Sequence, residues 1–319
     1  MGKIGVLTSG GDAPGMNAAI RAIVRSGISR GYEVYGIRDG YYGLVNKNFT
    51  LLSQSDVSDI MVRGGTFLGS ARLPEFKEDK VVEQAVSNLK EYGIDSLVVI
   101  GGDGTYRGAQ ALYEKGINCI AIPGTIDNDI FSTDFSIGFD TALETIVENV
   151  DRLRDTSSSH NRCSVVEVMG NKCGDLAIFS GLTCGAEVII TKETGFDEEQ
   201  LLKQLTYFSE VRKKNHAIVV ISEKITDVAL LAKLISLETP FSGRDTVLGH
   251  IQRGGSPSPN DRLLATRLGD KAVENIMNGI GGCCVGIVNN EIVTIPIETA
   301  LAMPIRKRQE YFDLHKRLV

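Results

Sequence analysis

The 319-residue chain has few of the residues that build metal sites and disulfide frameworks. Its six cysteines form no CxxC pair, and its four histidines are scattered along the chain. Structural zinc sites need such ligands at close spacing, so we do not expect one. We interpret the cysteines as small buried thiols of a protein that resides in a reducing compartment.

Long apolar runs and an excess of positive charge are also absent. No apolar run approaches the ~18 residues of a membrane-spanning helix, and the N-terminus lacks the pattern of a signal peptide. The net charge is -6 at pH 7, so no basic field covers the molecule. We therefore expect a cytoplasmic protein that binds neither membranes nor nucleic acids.

Short apolar runs alternate with longer amphipathic stretches. We predict strands at residues 4–7, 34–37, 96–100, 119–122, 164–168, 188–191, 217–221 and 285–288. We predict helices at residues 16–29, 80–92, 143–155, 198–213 and 262–278. Such alternation is typical of α/β proteins in which helices cover both faces of a mostly parallel sheet. A chain of this length, with 42% hydrophobic residues, suits two doubly wound α/β/α domains better than one.

Two glycine-rich segments each follow a predicted strand. They are residues 8–15, TSGGDAPG, and residues 101–105, GGDGT. Glycine lets the backbone approach a phosphate there, and amide groups at the start of a helix favour an anion. Neither segment is a Walker loop or a GxGxxG fingerprint. A tight turn explains either segment alone, whereas two together, each with an aspartate, favour phosphate binding.

An acidic segment, PGTIDND at residues 123–129, follows another predicted strand. Phosphoryl transfer to an alcohol needs a base for the hydroxyl proton and a carboxylate that holds Mg2+. If their strands are neighbours, Asp103, Asp127 and Asp129 lie close together, and oxygen ligands suit Mg2+. Taken alone, the segment also fits a solvated turn. GGDGT alone also resembles the motif of NAD kinases and diacylglycerol kinases, so it indicates ATP without identifying the acceptor.

A set of segments in a fixed order resembles the bacterial-type ATP-dependent 6-phosphofructokinase family. The segments are LTSGGDAPGMNAAIRA, GGTFLGSAR, VIGGDGT, PGTIDNDI, IGFDTAL, RDTSSSHNR, EVMG and LGHIQRGGSP, and they cover nearly the whole chain. The resemblance implies transfer of the γ-phosphoryl group of Mg-ATP to the 1-hydroxyl of fructose 6-phosphate. It also implies a homotetramer.

The resemblance implies roles for individual residues. Asp127 matches the base, Asp103 matches the magnesium ligand, and Gly11, Arg72 and Thr125 match residues around the transferring group. The residues that match the ATP site are Gly11, Tyr41, Arg72, Leu73, Gly102, Asp103, Gly104, Thr105 and Gly108. The residues that match the sugar-phosphate site are Thr125, Ile126, Asp127, Arg162, Met169, Gly170, Asn171, Glu223, Arg244, His250, Ile251, Gln252 and Arg253.

Two features of the resemblance involve a neighbouring subunit. Arg162 and Arg244 match arginines that reach the sugar-phosphate site from that subunit. A regulatory site between subunits, where ADP activates and phosphoenolpyruvate inhibits many relatives, matches Arg21, Arg25, Arg154, Gly185, Glu187, Arg212, Lys214 and His216. Arg21 and Arg25 share one face of a predicted helix, and a solvated face is the alternative. The family's Lys-Lys-His run reads Lys-Lys-Asn-His here, and Gln54 stands where some relatives have arginine.

Positions 104 and 124 bear on the choice of phosphoryl donor, and positions 171 and 224 depart from the family pattern. Relatives that use pyrophosphate typically carry Asp at position 104 and Lys at position 124. Gly104 leaves room for the α-phosphate of ATP, and Gly124 removes the compensating cation, so both favour ATP. Asn171 stands where the family usually has Arg, and Lys224 follows Glu223 where a small residue is common.

The resemblance also implies a domain division and leaves two alternatives to weigh. An ATP-binding domain is predicted at residues 1–138 and 251–301, and a fructose 6-phosphate and effector domain at residues 139–250 and 302–319. One alternative is another GGDGT kinase such as NAD kinase, which leaves PGTIDND and GHIQRGG unexplained. The other is a catalytically inactive nucleotide sensor, against which Asp103, Asp127 and Arg72 argue.

Overall fold

A computed structural model describes residues 2–304, 306 and 308–319. The strands are β1 (Lys3–Thr8), β2 (Glu33–Ile37), β3 (Phe49–Leu52), β4 (Ser96–Gly101), β5 (Asn118–Pro123), β6 (Arg162–Val168), β7 (Val188–Ile190), β8 (Ala217–Ser222), β9 (Ser242–Val247), β10 (Cys283–Val288) and β11 (Glu291–Pro296). The α-helices are α1 (Met16–Ser29), α2 (Gly40–Val45), α3 (Asp79–Glu91), α4 (Asp103–Glu114), α5 (Phe139–Ser158), α6 (Asp175–Thr183), α7 (Glu198–Glu210), α8 (Val228–Glu238), α9 (Pro259–Met277), α10 (Ile297–Ala302) and α11 (Gln309–Leu318). Short 3₁₀ helices span Pro74–Lys77 and Gly249–Arg253.

The described residues form two compact units. The first comprises the chain up to Ile126, together with Ile130–Thr141 and Arg253–Pro304. The second comprises Asp127–Asp129, Ala142–Gln252 and the described residues after Pro304. The assignment of the nucleotide to one domain and of the sugar phosphate to the other stays a prediction.

The first unit is built on a seven-stranded sheet in the order β11-β10-β5-β4-β1-β2-β3. The five inner strands are parallel, and β3 and β11 pair antiparallel at the two edges. Every residue of β4 is buried, which is typical of a parallel strand covered on both faces. The edge strands β3 and β11 carry exposed side chains, in contrast to β4.

The second unit is built on a four-stranded parallel sheet in the order β7-β8-β6-β9. Its two inner strands, β6 and β8, carry the apolar sequences RCSVVEV and AIVVIS. The two sheets and their helices confirm the predicted fold class. In each sheet the carboxyl ends of the parallel strands meet at one edge, where ligands of open α/β sheets bind.

Asp261 joins the starts of α5 and α9 within the first unit. Its carboxylate accepts hydrogen bonds from the Gly138 and Thr141 amides at 2.8 Å and from the Thr141 hydroxyl at 2.5 Å. Burial raises the pKa of this carboxyl group to about 6, although the hydrogen bonds oppose the rise. This contact gives a structural reason for Thr141, whose hydroxyl is one of the donors.

The cysteines agree with the prediction of small buried thiols. All six cysteines are buried free thiols. Burial raises the pKa of Cys184 and of Cys283 to about 11, so both thiols are protonated at neutral pH. In the part of the chain that the structure describes, no helix combines the length and apolar character needed to span a bilayer.

Candidate functional site

The two glycine-rich loops lie side by side in the first unit, at the carboxyl ends of β1 and β4. The Thr105 hydroxyl donates a hydrogen bond to the Ser9 carbonyl oxygen at 3.1 Å. The Ser9 amide donates to the Ile100 carbonyl oxygen at 3.0 Å. A Cβ atom on Gly101 would lie 2.4 Å from the Ser9 carbonyl oxygen, so only glycine fits there. The structure therefore joins two segments that are far apart in sequence.

A cleft of about 370 Å³ opens beside the first glycine-rich loop. Its lining consists of Gly10, Gly11, Asp12, Thr66, Ser70, Arg72 and Arg253. The Arg253 guanidinium group covers Gly11 so closely that a Cβ atom there would lie 2.3 Å from Nη1. Among the described residues, the buried Nε of Arg253 has no hydrogen-bond partner. Two guanidinium groups beside backbone amides make this cleft suited to an anion, because arginine forms forked bonds to phosphate.

Asp103 lies in the first turn of α4 with its side chain 47% exposed. Arg107 holds this carboxylate from one turn later, with Nε and Nη2 at 3.0 and 3.2 Å. Arg107 was not predicted from the sequence, although the i,i+4 spacing was a usable signal. A Cβ atom on Gly104 would meet nothing within 4 Å, so the space beside Asp103 is open.

One carboxylate beside a glycine-rich loop suits Mg2+. This ion is usually held by one or two carboxylates, with water and substrate phosphates as the other ligands. Across residues 2–304, 306 and 308–319, no cluster of three or more His, Cys, Asp or Glu side chains is arranged to hold a metal. Asp103 therefore fits a magnesium ion that arrives with a nucleotide better than it fits a metal held by protein ligands alone.

Tyr41 and Gly108, both predicted for the nucleotide site, contact each other inside the first unit. The Tyr41 ring is 5% exposed and stacks on Phe76 with a centroid distance of 4.1 Å. Its hydroxyl donates to the Thr105 carbonyl oxygen at 2.6 Å, and burial raises its pKa. A Cβ atom on Gly108 would lie 2.5 Å from this ring. Leu73 packs against the same core. These residues therefore pack around α4 in the interior of the first unit.

The PGTIDND segment begins in the first unit. The Gly124 amide donates to the Gly101 carbonyl oxygen at 3.0 Å, which sets the segment next to the GGDGT loop. The Thr125 amide donates to the Ile137 carbonyl oxygen at 3.0 Å, and Ile126 is buried. Asp127 and Asp129 belong to the second unit, so the predicted closeness of Asp103 and Asp127 stays a prediction.

Asp129, Asn171 and Glu223 come together in the second unit, after the carboxyl ends of β6 and β8. The Asn171 amide donates to Glu223 Oε1 at 2.9 Å, and its Nδ2 donates to Asp129 Oδ2 at 3.3 Å. Lys224, which stands where a small residue is common, lies 3.7 Å from the same Glu223 oxygen. Lys192 donates to the Asn171 carbonyl oxygen at 2.5 Å. This second cation was not predicted, because no motif links Lys192 to position 171.

Gln252 holds the backbone near the end of β6. Its Oε1 accepts from the Met169 amide at 3.1 Å, its Nε2 donates to the Gly249 carbonyl oxygen at 2.9 Å, and it is fully buried. Gly170 follows Met169 with a φ of 143°, which favours glycine. His250 and Ile251 are exposed in the same unit.

Arg162 lies at the opposite end of β6 from Met169 and Gly170. The strand has seven residues and begins at Arg162. At ~3.3 Å per residue, its two ends are roughly 20 Å apart. Arg244 is exposed on the neighbouring β9, where it pairs in register with Ser164. The strand therefore separates Arg162 from Met169 and Gly170, which follow its other end.

Most of the predicted effector residues gather in the second unit. Arg154 donates to the carbonyl oxygens of Cys184 and Gly185 and lies 3.3 Å from His216 Nε2. Lys214 pairs with the buried Glu187 at 2.6 Å. Burial lowers the pKa of His216, and the Arg154 and Lys214 charges add to the effect, while Glu187 opposes it.

The remaining predicted effector residues are Arg212 in the second unit and Arg21 and Arg25 in the first. Arg212 donates to the Val319 carbonyl oxygen at 3.4 Å. Arg21 and Arg25 are half-buried on α1 in the first unit, and Arg25 reaches the Gln54 carbonyl oxygen at 3.5 Å. Within the described ranges, the buried Nε atoms of Arg21 and Arg25 have no hydrogen-bond partner.

Known proteins are similar to this chain over nearly its whole length. A family model described as Phosphofructokinase matches residues 3–276. The chain is 56% identical over 319 residues to an ATP-dependent 6-phosphofructokinase of Photobacterium profundum, and the match covers 99% of each chain. It is 57% identical over 291 residues to an ATP-dependent 6-phosphofructokinase of Tolumonas auensis, and that match covers 91% of each chain.

Solved structures show the same fold. Phosphofructokinase of Saccharomyces cerevisiae matches with a TM-score of 0.87 and 32% identity over 100% of this chain. The chain spans about half the length of that yeast chain, 47%.

Proposed function

The chain belongs to the phosphofructokinase family, and we propose that it is an ATP-dependent 6-phosphofructokinase. It transfers the γ-phosphoryl group of ATP to the 1-hydroxyl of fructose 6-phosphate and releases ADP and fructose 1,6-bisphosphate. The observation that carries this proposal is the pair of joined glycine-rich loops, with two arginines on one side and Asp103 on the other. A cleft of this kind suits the phosphates of a nucleotide.

The proposed reaction is a direct in-line transfer without a phosphoenzyme. The Asp127 carboxylate accepts the proton of the 1-hydroxyl while that oxygen forms a bond to the γ-phosphorus and the bond to ADP breaks. Gly11 contributes its amide, and Arg72 neutralises charge on the transferring group. Asp103 would hold Mg2+, which supplies charge neutralisation on the phosphates when it is bound. Thr125, Ile126, Met169, Gly170 and Glu223 hold the sugar.

The acceptor distinguishes this proposal from both alternatives. In a coupled assay of ADP release with Mg-ATP, fructose 6-phosphate should support turnover and NAD should not. Turnover with NAD alone would identify a different GGDGT kinase. Nucleotide binding without ADP release under any acceptor would identify an inactive sensor.

Donor choice leads to a prediction for Gly104. Gly104→Asp should lower kcat/KM for ATP by at least ~10-fold, because like charges placed together cost several kcal/mol and each 1.4 kcal/mol is tenfold. The open space beside Gly104 admits the new side chain, so the fold should tolerate it. The measurement is the rate with ATP and with pyrophosphate for both proteins.

Gly104→Asn is the matched control, because it adds the same bulk without the charge. It should lose less activity than Gly104→Asp. Pyrophosphate should serve neither protein well, since position 124 still lacks a cation. Efficient use of pyrophosphate by the wild-type protein would contradict this interpretation of both glycines.

The proposal includes shared sites and regulation. Arg162 and Arg244 complete the sugar-phosphate site of a neighbour in a homotetramer, and the separation of Arg162 from Met169 along β6 supports this. ADP and phosphoenolpyruvate bind the effector residues as anions, which suit the cluster of Arg154, Lys214 and His216. The cytoplasmic location remains a prediction.

The lowered pKa of His216 predicts that effector binding depends on pH. Its imidazole is neutral at pH 7.5, because burial lowers its pKa from 6.5. A bound anion stabilises the charged form and raises that pKa, so binding takes up a proton. The affinity for ADP at the effector site should therefore rise as pH falls from about 8 to about 6.

The control for this prediction is His216→Gln, measured by calorimetry at the same pH values. The ADP phosphates also titrate, and the comparison of the two proteins removes their contribution. The variant should show a smaller gain in affinity at low pH. Identical pH profiles for both proteins would show that protonation of His216 is not coupled to effector binding.

A further inference from the structure

We propose that Asn128, Asp175 and Arg308 form a positioning clamp that fixes the backbone between Asp127 and Asp129. This inference rests on the proposed function, because it assigns these three residues to the orientation of the proposed base. The clamp lies wholly within the second unit. It ties the acidic segment to the first turn of α6 and to the segment that precedes α11.

The first link is Asn128, the residue between the two aspartates. It is 3% exposed and has a φ of 52°, in the left-handed region that asparagine adopts more readily than most residues. Its Nδ2 donates a hydrogen bond to Asp175 Oδ2 at 2.8 Å. This bond ties the buried Asn128 side chain to Asp175 and so restrains the backbone that carries it.

The second link is the pair of Asp175 and Arg308. Arg308 donates from Nε to Oδ1 at 3.1 Å and from Nη2 to Oδ2 at 2.7 Å, as a fork. The Asp175 side chain is 3% exposed and that of Arg308 is 16% exposed. The Arg308 guanidinium carbon also lies 5.4 Å from the centre of the Phe179 ring. A forked and buried pair holds the carboxylate in one place, so Asp175 is a rigid anchor for Asn128.

A third contact restrains the same segment. Asp129 accepts a hydrogen bond from Asn171 Nδ2 at 3.3 Å. The residues on one side of Asp127 are thus held through two different side chains, Asn128 and Asp129. Catalytic groups must be oriented closely, because a displacement of 1 Å costs up to ~10²-fold in rate. Asp175 and Arg308 are therefore assigned as positioning residues that act through Asn128.

Asn128→Gly tests the clamp with little change to the fold. Glycine adopts a positive φ at no steric cost, so the variant removes the amide and keeps the backbone conformation available. We expect kcat to fall at least ~10-fold, KM values for ATP and fructose 6-phosphate to change less than about threefold, and the melting temperature to change little. A kcat within about twofold of wild type would overturn the inference.

Asn289→Gly is the matched control. Asn289 also has a positive φ, 51°, and it is exposed in the turn between β10 and β11. Asn289→Gly removes the same side chain at a position far from the clamp in sequence. This variant should leave kcat and KM unchanged. A loss of kcat in both variants would assign the effect to asparagine removal in general and would overturn the clamp.

Arg308→Lys tests the second link, because lysine keeps the charge and loses the fork. Like Asn128→Gly, it should lower kcat. The double variant, Asn128→Gly with Arg308→Lys, should have a kcat only slightly below that of Asn128→Gly alone. Both changes break the same series of contacts, so their effects should not add. Additive losses in kcat would show that Arg308 acts elsewhere.

Amide hydrogen exchange tests the clamp independently of the proposed function. Peptides that contain residues 125–131 should exchange faster in Asn128→Gly than in the wild-type protein, whether or not the enzyme phosphorylates fructose 6-phosphate. Unchanged exchange would overturn the clamp. A wild-type protein without the activity, but with faster exchange in the variant, would refute the function and keep the clamp.

Discussion

Asp127→Ser should lower kcat by ~10²–10⁴-fold, the usual cost of removing a general base. The 1-hydroxyl of the sugar is a weak nucleophile until its proton leaves, and serine cannot accept that proton at neutral pH. The residues proposed to bind ATP lie in other segments, so the affinity for ATP should change little. The measurement is a steady-state rate with saturating fructose 6-phosphate and ATP, together with a binding isotherm for ATP.

Asp79→Ser is the control for that variant. It makes the same substitution at a side chain that is 85% exposed, in an ion pair with Lys115. Exposed pairs contribute only about 0–1 kcal/mol, so activity should be retained. If Asp127→Ser keeps more than about a third of the wild-type kcat, Asp127 is not the base.

Mixed tetramers should be more active than either parent if active sites are shared between subunits. Arg162→Ala should raise the KM for fructose 6-phosphate by about 10–100-fold, because a charge-assisted hydrogen bond contributes roughly 1.5–3 kcal/mol. In a mixture of Arg162→Ala and Asp127→Ser subunits, some sites combine an intact Asp127 from one chain with an intact Arg162 from another. Those sites should recover activity at low concentrations of fructose 6-phosphate.

Two checks make the mixing experiment decisive. Native mass spectrometry must show that subunits have exchanged. Arg152→Ala serves as the matched control, because Arg152 is 74% exposed on α5 and its loss should not raise KM. If exchanged mixtures show only the summed activity of the parents, Arg162 acts within its own chain.

The strands of both sheets were predictable where they are buried on both faces. β1, β4 and β8 are continuous apolar runs, and each ends at a glycine or a polar residue that marks the turn. The edge strands β3, β9 and β11 were not predicted. β3 has only four residues, and β9 and β11 mix polar with apolar residues, so none has the long apolar run of a central strand.

The gathering of site residues follows from the parallel sheets. The loops after β1, β4 and β5 were recognised as motifs, and parallel strands bring their carboxyl ends to one edge. Contacts that depend on tertiary packing were not predictable. Lys192 and Asn171 are 21 residues apart, and Arg308 and Asp175 are 133 residues apart. No local pattern connects such pairs, since side-chain contacts over these separations depend on how helices pack on the sheet.

The most direct test of the account is the identity of the phosphorylated product. Purified protein with Mg-ATP and fructose 6-phosphate should be followed by ³¹P NMR. We expect one new phosphomonoester on carbon 1 of the sugar for each ADP released, with the 6-phosphate signal retained. ADP release without a sugar bisphosphate, or no ADP release at all, would contradict the assignment as a 6-phosphofructokinase.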